Sequence, residues 1–247
     1  MEKSLENINK MRDMFKDKTK ILVLSGAGLS KEAGIPDFRS KDGLYSKNFY
    51  NLDPEYILSH DFLMKNPELF YEYIRENMNY KEVFPTDVYN KIANLEKEGR
   101  VLGVITQNID GLHKKAGSKN VVEAHGNLID FYCTKCNKKY DMNEMLEDRE
   151  IFCTCGGLIR PDVVLYGEEL KDMKKIQELI DDADSLLVLG SSLLVYPIAY
   201  IPNMFLAKGK PVGIINLDKV SIGKNENLIE INEKISDVFF KILDNSL

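Results

Sequence analysis

Two groups of residues in this chain could carry chemistry: four cysteines and three histidines. The cysteines form Cys133-x-x-Cys136 and, sixteen residues on, Cys153-x-Cys155 followed by Gly156-Gly157. Four thiolates at such spacing suit tetrahedral zinc, and four sulfurs leave no open position, so that ion would be structural rather than catalytic. The second pair lacks the usual two-residue gap, so its turn must be tight, and the glycines would free N–H groups to bond sulfur. The alternative is two unrelated thiol pairs. Of the histidines His60, His113 and His125, the last sits in Glu123-Ala124-His125-Gly126-Asn127 after a strand-like run. An imidazole near a ligand crevice is a candidate general base because its ordinary pKa lies near neutrality. A structural role is the alternative.

The remaining candidates lie on loops that follow apolar runs. Gly26-Ala27-Gly28-Leu29-Ser30-Lys31 succeeds Ile21–Ser25, with glycines at 26, 28 and 34 rather than in the spacing of ordinary dinucleotide loops. Gly26 and Gly28 could let backbone N–H groups reach a pyrophosphate, with a helix starting near Ser30 pointing its N-terminus there. Pro36 would end that helix, and Asp37, Phe38 and Arg39 follow on the same loop. Gln107-Asn108-Ile109-Asp110 lies past a second run, and its polar side chains could read a ribose or a carboxamide, although Asn and Asp also form turns. Gly190-Ser191-Ser192 and Asn216-Leu217-Asp218 follow two more. Pro161–Glu168 reads as an extended segment ending in glycine, either a core strand or an edge that accepts a peptide.

The elements needed to place these loops are legible. Ile21–Ser25, Val101–Thr106, Ser185–Leu189 and Val212–Asn216 read as buried parallel strands, with Val121–Glu123 a possible fifth. Helical patterns over Asp87–Glu98 and Leu170–Asp181 alternate with them, which predicts a doubly wound α/β sheet. The N-terminal segment reads as an amphipathic helix with Leu5, Ile8, Met11 and Phe15 on one side. Two stretches break the alternation: 41–83, rich in aromatics, and 131–160, with the cysteines. They are expected to build a smaller domain, leaving 1–40, 84–130 and 161–247 as the large one. The 33 Lys and Arg against 39 Asp and Glu give a net charge of −6, which disfavours nucleic acid as the main partner. No apolar run is long enough to span a bilayer and no signal-peptide pattern is visible, so a cytoplasmic protein is expected.

Taken together, GAGLSKEAGIPDFRS, TQNIDGLH, EAHGN, the four cysteines, RPDVVLYGE, LGSSLLVYP and NLD resemble the sirtuins, NAD-dependent protein deacylases, over about residues 15–240. The resemblance implies a Rossmann-like NAD-binding domain and a small domain made of a zinc module and a helical module. It implies that Ala27, Gly28 and Lys31 line the phosphate and ribose side of NAD, with Asp37 on the same loop. Phe38 would shield the ribose C1′ and Arg39 would meet the phosphates. Gln107 and Asn108 would contact the ribose, and Ile109 and Asp110 the nicotinamide carboxamide. Gly190, Ser191, Ser192, Asn216, Leu217, Asp218 and Ile235 (or Lys234) would bind the adenosine half. Val163, Val164, Tyr166, Gly167 and Leu193 would flank an acyl-lysine peptide. His125 would be the general base, with Asn108 beside it, and the acyl group would pass from lysine to ADP-ribose. In the branch that removes succinyl, a Tyr and an Arg three residues later read the acyl carboxylate. Here Tyr45 is followed by Asn48, so an uncharged acyl group is expected. ADP-ribosyl transfer, NAD hydrolysis and a non-catalytic nucleotide-binding module are the alternatives.

Overall fold

The computed structural model describes residues 2–38, 40, 43–46, 49–147 and 150–243. Arg39 and Asn48 lie outside the described residues. Six parallel strands form the main sheet: β1 (Ile21–Ser25), β2 (Val101–Thr106), β3 (Val121–Glu123), β7 (Ser185–Leu189), β8 (Val212–Ile215) and β9 (Leu228–Ile231), in the order β3-β2-β1-β7-β8-β9. The order reverses direction at β1, the point where open α/β sheets bind ligands. A smaller antiparallel sheet has β4 (Gly126–Cys133) between β5 (Lys139–Asp141) and β6 (Ile159–Val163).

The apolar runs are continuous because the main sheet is covered on both faces. Ile21 and Val23 of β1 and Leu187 and Leu189 of β7 face one apolar cluster, while Leu22, Leu24, Leu186 and Val188 face another. The first cluster is completed by helices Glu2–Phe15, Asp87–Lys97 and Ile235–Leu243, the second by Met173–Asp182 and Ile201–Ala207. The first cluster also runs without a break into the smaller sheet through Leu128, Phe131 and Ile159. Tyr71, fully buried on helix Pro67–Asn77, donates its hydroxyl to Ile159 O at 2.8 Å and ties the aromatic segment to β6.

Several sequence expectations are corrected. Leu5 is 59% exposed and does not join Ile8, Met11 and Phe15 in the core. The helix after β1 is Ala27–Glu32, starting at the end of the turn rather than near Ser30. The helix expected from Leu170 begins at Met173, because Asp172 has φ 55° and breaks the register. The sixth strand, β9, was not expected. Its residues are only partly buried except for Ile231, so its pattern is weaker than that of the interior strands.

Candidate functional site

The loops after β1, β2, β7 and β8 are laced to one another at the carboxyl ends of the strands. Gln107 N donates to Ser25 O (3.0 Å), Gly26 N to Leu189 O (3.0 Å) and Gly190 N to Ile215 O (2.9 Å). Asn108 adds a side-chain rung, Nδ2 to Gly26 O at 2.9 Å. Gly28 N donates to Gly190 O at 2.8 Å. The N–H groups of Gly26 and Gly28 are thus spent inside the protein, which corrects the expectation that they reach toward a pyrophosphate. The glycine at 28 serves a different purpose. A Cβ there would stand 2.8 Å from Gly190 Cα, so the two loops can pack backbone to backbone only without one.

These loops open onto a cavity of about 1610 Å³. Ala27, Gly28, Lys31, Asp37 and Phe38 line it from the first loop, and Gln107, Asn108 and Ile109 from the second. His125 lies on the wall, with Val163, Val164, Tyr166 and Gly167 beyond it. Gly190, Ser191, Ser192, Asn216, Leu217 and Asp218 complete the far side, and Ile235 and Lys234 both reach it. Two expected residues do not line it. Asp110 is buried behind the loop, where its Oδ1 accepts from Leu112 N at 2.8 Å and its Oδ2 from the Ser30 hydroxyl. Burial outweighs those bonds and raises its carboxyl above the usual range. Leu193, at φ 53°, turns back against the second apolar cluster, and Leu194, Val195 and Tyr196 line the cavity instead.

His125 is held in one orientation. Its Nδ1 lies 3.0 Å from Gln107 O. A carbonyl only accepts, so Nδ1 carries the proton and Nε2 keeps a free lone pair. Burial lowers the imidazole's pKa, partly offset by the bond to Gln107, so the ring stays neutral to more acidic pH than an ordinary histidine. Gln107 also lines the cavity, and its buried Nε2 has no partner among the described residues. A buried donor without a partner, on a residue that lines the cavity, suits a ligand acceptor such as a ribose hydroxyl once the side chain turns to meet it.

The loop carrying Phe38 is organised around Asp37. Its Oδ1 accepts from Ser40 N at 2.8 Å, and its Oδ2 from Lys31 Nζ at 3.0 Å. Leu44 N and Tyr45 N donate to Asp37 O and Phe38 O. Burial works upward on the Asp37 carboxyl, but the Ser40 and Lys31 bonds hold it below its ordinary value. The Phe38 ring meets Tyr45 edge-on, with centroids 5.6 Å apart.

The four cysteine sulfurs lie within 4.8 Å of one another, away from the cavity walls. Sulfurs about 2.3 Å from a common tetrahedral ion would be mutually spaced within that limit, so the cluster is suited to a structural zinc. The amide donors to Cys133 Sγ come from Lys135 (3.4 Å) and Cys136 (3.5 Å), not from the glycines as expected. Gly157 is needed for space, since a Cβ there would lie 2.6 Å from Cys133 Sγ.

The model of the Sir2 family matches residues 26–197, the span that contains every one of these loops except the last. The chain belongs to the Sir2 family. A relative from Clostridium perfringens, called NAD-dependent protein deacetylase, is 39% identical over 97% of this chain and 99% of its own length. One of the same name from Staphylococcus aureus is 41% identical over 96% and 98%. Among solved Sir2 structures, one with a deacetylated p53 peptide and 3′-O-acetyl ADP ribose superposes with a TM-score of 0.85, 32% identity, and coverage of 97% and 98%. A second, with a p53 peptide and NAD+, has a TM-score of 0.80, 34% identity and coverage of 95% of each chain. A third, bound to a propionylated peptide, has a TM-score of 0.80 at 33% identity, covering 95% of each chain.

Three contacts of the site join residues whose motifs are visible but whose pairing is not. Ser25 Oγ donates to Thr106 Oγ1 (2.9 Å) and accepts from His113 Nε2 (2.8 Å), beneath the second loop. The Glu32 carboxylate accepts from Ile235 N (2.7 Å) and Ser236 N (3.0 Å), fastening the last helix to the first loop. Arg160 and Glu168 pair across the segment that ends β6. Each joins residues far apart in the sequence or separated by an apolar run, so no local pattern marks it.

Proposed function

We propose that the chain is an NAD-dependent protein-lysine deacetylase that transfers the acyl group of an acyl-lysine to ADP-ribose, releasing nicotinamide and O-acyl-ADP-ribose. The observation that carries this is His125, oriented by Gln107 O with Nε2 free, on the wall of one cavity shared by four strand-end loops. A cavity of about 1610 Å³ has room for an extended dinucleotide, and the names of the relatives agree with that chemistry.

NAD supplies the electrophile, the ribose C1′ that loses nicotinamide and takes the acyl oxygen. The rest falls to this chain. Ala27, Gly28 and Lys31 hold the phosphate and ribose side, Arg39 meets the phosphates, and Phe38 covers the reacting face. Gln107 and Asn108 hold the ribose, with Ile109 and Asp110 toward the carboxamide. In that role Asp110 acts from behind, by fixing the loop through Leu112 N and Ser30. Ser191, Ser192, Asn216 and the Ile235 region take the adenosine half. Val163, Val164, Tyr166 and Gly167 flank the peptide. His125 Nε2 accepts the proton of a ribose hydroxyl so that this oxygen can take over the acyl group.

The acyl group is uncharged. The lysines on the described cavity walls are Lys31, Lys219 and Lys234. Lys31 is held by Asp37, and the other two adjoin Asp218 and Ile235. Around His125 and β6 the walls are Ile109, Val163, Val164 and Leu165, which offer a carboxylate no counter-charge. The reading keeps 41–83 and 131–160 as a small domain against the rest, and it places the chain in the cytoplasm, where four close thiols stay reduced for a metal.

The test is mass spectrometry of an acetyl-lysine peptide incubated with the protein, with and without NAD. Loss of acetyl only with NAD, together with O-acetyl-ADP-ribose, is expected. Free ADP-ribose formed without peptide, or a succinyl peptide turned over faster than the acetyl one, would overturn the reaction or its acyl preference respectively.

A further inference from the structure

We infer that Arg160 and Glu168 form a clasp that shapes the segment 163–167 and so sets the affinity for the peptide substrate; this rests on the deacetylase reading above. Arg160, on β6, is 8% exposed. Its guanidinium gives Nη1 to Glu168 Oε1, and gives Nη2 both to Glu168 Oε2 (2.9 Å) and to Val163 O (2.8 Å). Nε turns to Pro161 O at 3.3 Å, and the group lies over the Tyr132 ring. Glu168 Oε2 also accepts from Leu165 N at 2.9 Å, and Glu168 N donates to Leu165 O at 3.0 Å. A planar fork matched to a carboxylate is the pairing that fixes direction as well as distance.

The consequence lies in which backbone groups remain. Val164 N is taken by His125 O (2.8 Å), Tyr166 N by Leu58 O (3.0 Å), and Tyr166 O by His60 N (3.1 Å). Val164 O and Gly167 N have no partner among the described residues, and both residues line the cavity. Nothing lies within 4 Å of where a Cβ of Gly167 would stand, so the space there is open. One acceptor and one donor, facing free space at the end of a strand, are what an extended peptide needs in order to pair. The clasp keeps those two groups free. It fixes Leu165 N on Glu168 and Val163 O on Arg160, and because the C=O and N–H of a trans peptide unit point opposite ways, Val164 O is turned away from the clasp. Arg160 is not on the cavity wall, so its effect runs through the loop; Glu168 does line the cavity, but its two oxygens are committed to Arg160 and Leu165 N, so it too acts by positioning the loop.

The experiment uses the full zinc-loaded chain with Glu168→Gln and, separately, Arg160→Lys. The first keeps an acceptor for Leu165 N without the charge, and the second keeps the charge without the fork. Calorimetry reads the affinities for an acetyl-lysine peptide and for NAD, and hydrogen exchange reads the Leu165 amide. Expected in both variants are faster exchange at Leu165, peptide affinity weaker by about tenfold and NAD affinity changed by less than about twofold. Unchanged exchange, unchanged peptide affinity, or equal weakening of NAD would each overturn the clasp. If the wild-type chain binds peptide and the variants bind it weakly, yet no deacetylation occurs, the reaction falls and the clasp stands.

Discussion

At the scale of single residues, the candidate base is defined by what its other nitrogen does. His125 Nδ1 is committed to Gln107 O, and burial lowers the ring's pKa. A base must be unprotonated, so the rise of kcat/KM with pH should be centred below the ordinary histidine value of about 6.5. His125→Ala should cut deacetylation by about 100- to 1000-fold and remove that limb, while NAD binding persists. The check is a pH profile of both proteins at low peptide concentration. A limb centred above the ordinary value would mean that the imidazole is charged more readily than its burial allows. The sequence marked His125 as a base by its place after a strand-like run. It could not say which nitrogen was free, because that depends on a carbonyl eighteen positions away in the chain.

At the scale of elements, the strands were the most legible feature. Burial on both faces forces unbroken apolar runs, and such runs end where the loops begin. The residues of those loops that line the cavity were legible for the same reason: position past a strand end is a local property. What the glycines do was misread, because a close approach between Gly28 and Gly190 joins two runs 162 positions apart. The same holds for the zinc module, where Gly157 makes room for Cys133 Sγ instead of donating to it. In the module β4 and β6 are mostly buried and join the main apolar cluster, but β5 has no fully buried residue. Metal ligation therefore adds to core burial, ordering the β5 side and the two cysteine turns. Removal of zinc by a chelator should lower the thermal midpoint and abolish peptide turnover, and added zinc should restore both. Calorimetric scans before and after chelation decide it. An equally stable and active metal-free protein would leave the four sulfurs without a structural task.

At the scale of the whole molecule, the hidden element is the polar group sealed beneath the site. His113 is 2% exposed, packed edge-on against Tyr89 with centroids 4.7 Å apart. Ser25 gives its proton to Thr106, so His113 Nε2 donates to Ser25, and the bare Nδ1 has no partner among the described residues. Burial drives its pKa down to about 3. In the unfolded chain the same ring titrates near 6.5, so between those values the unfolded state binds a proton that the folded state refuses. The folded state's advantage is therefore complete above about pH 6.5 and shrinks as the pH falls toward 3. From pH 6.5 to 5 the loss from this one group is about 2 kcal/mol, or roughly 4–8 °C in thermal midpoint for a chain of this size. Asp110, raised by burial, works in the opposite direction at the acid end, since its folded state takes up a proton more readily. His113→Gln removes only the first contribution. Its thermal midpoint should vary less between pH 7 and 5 than that of the wild-type protein, even if it is lower throughout. Parallel slopes for the two proteins would show that the imidazole does not govern acid stability, and that the site is sealed less tightly than its geometry implies.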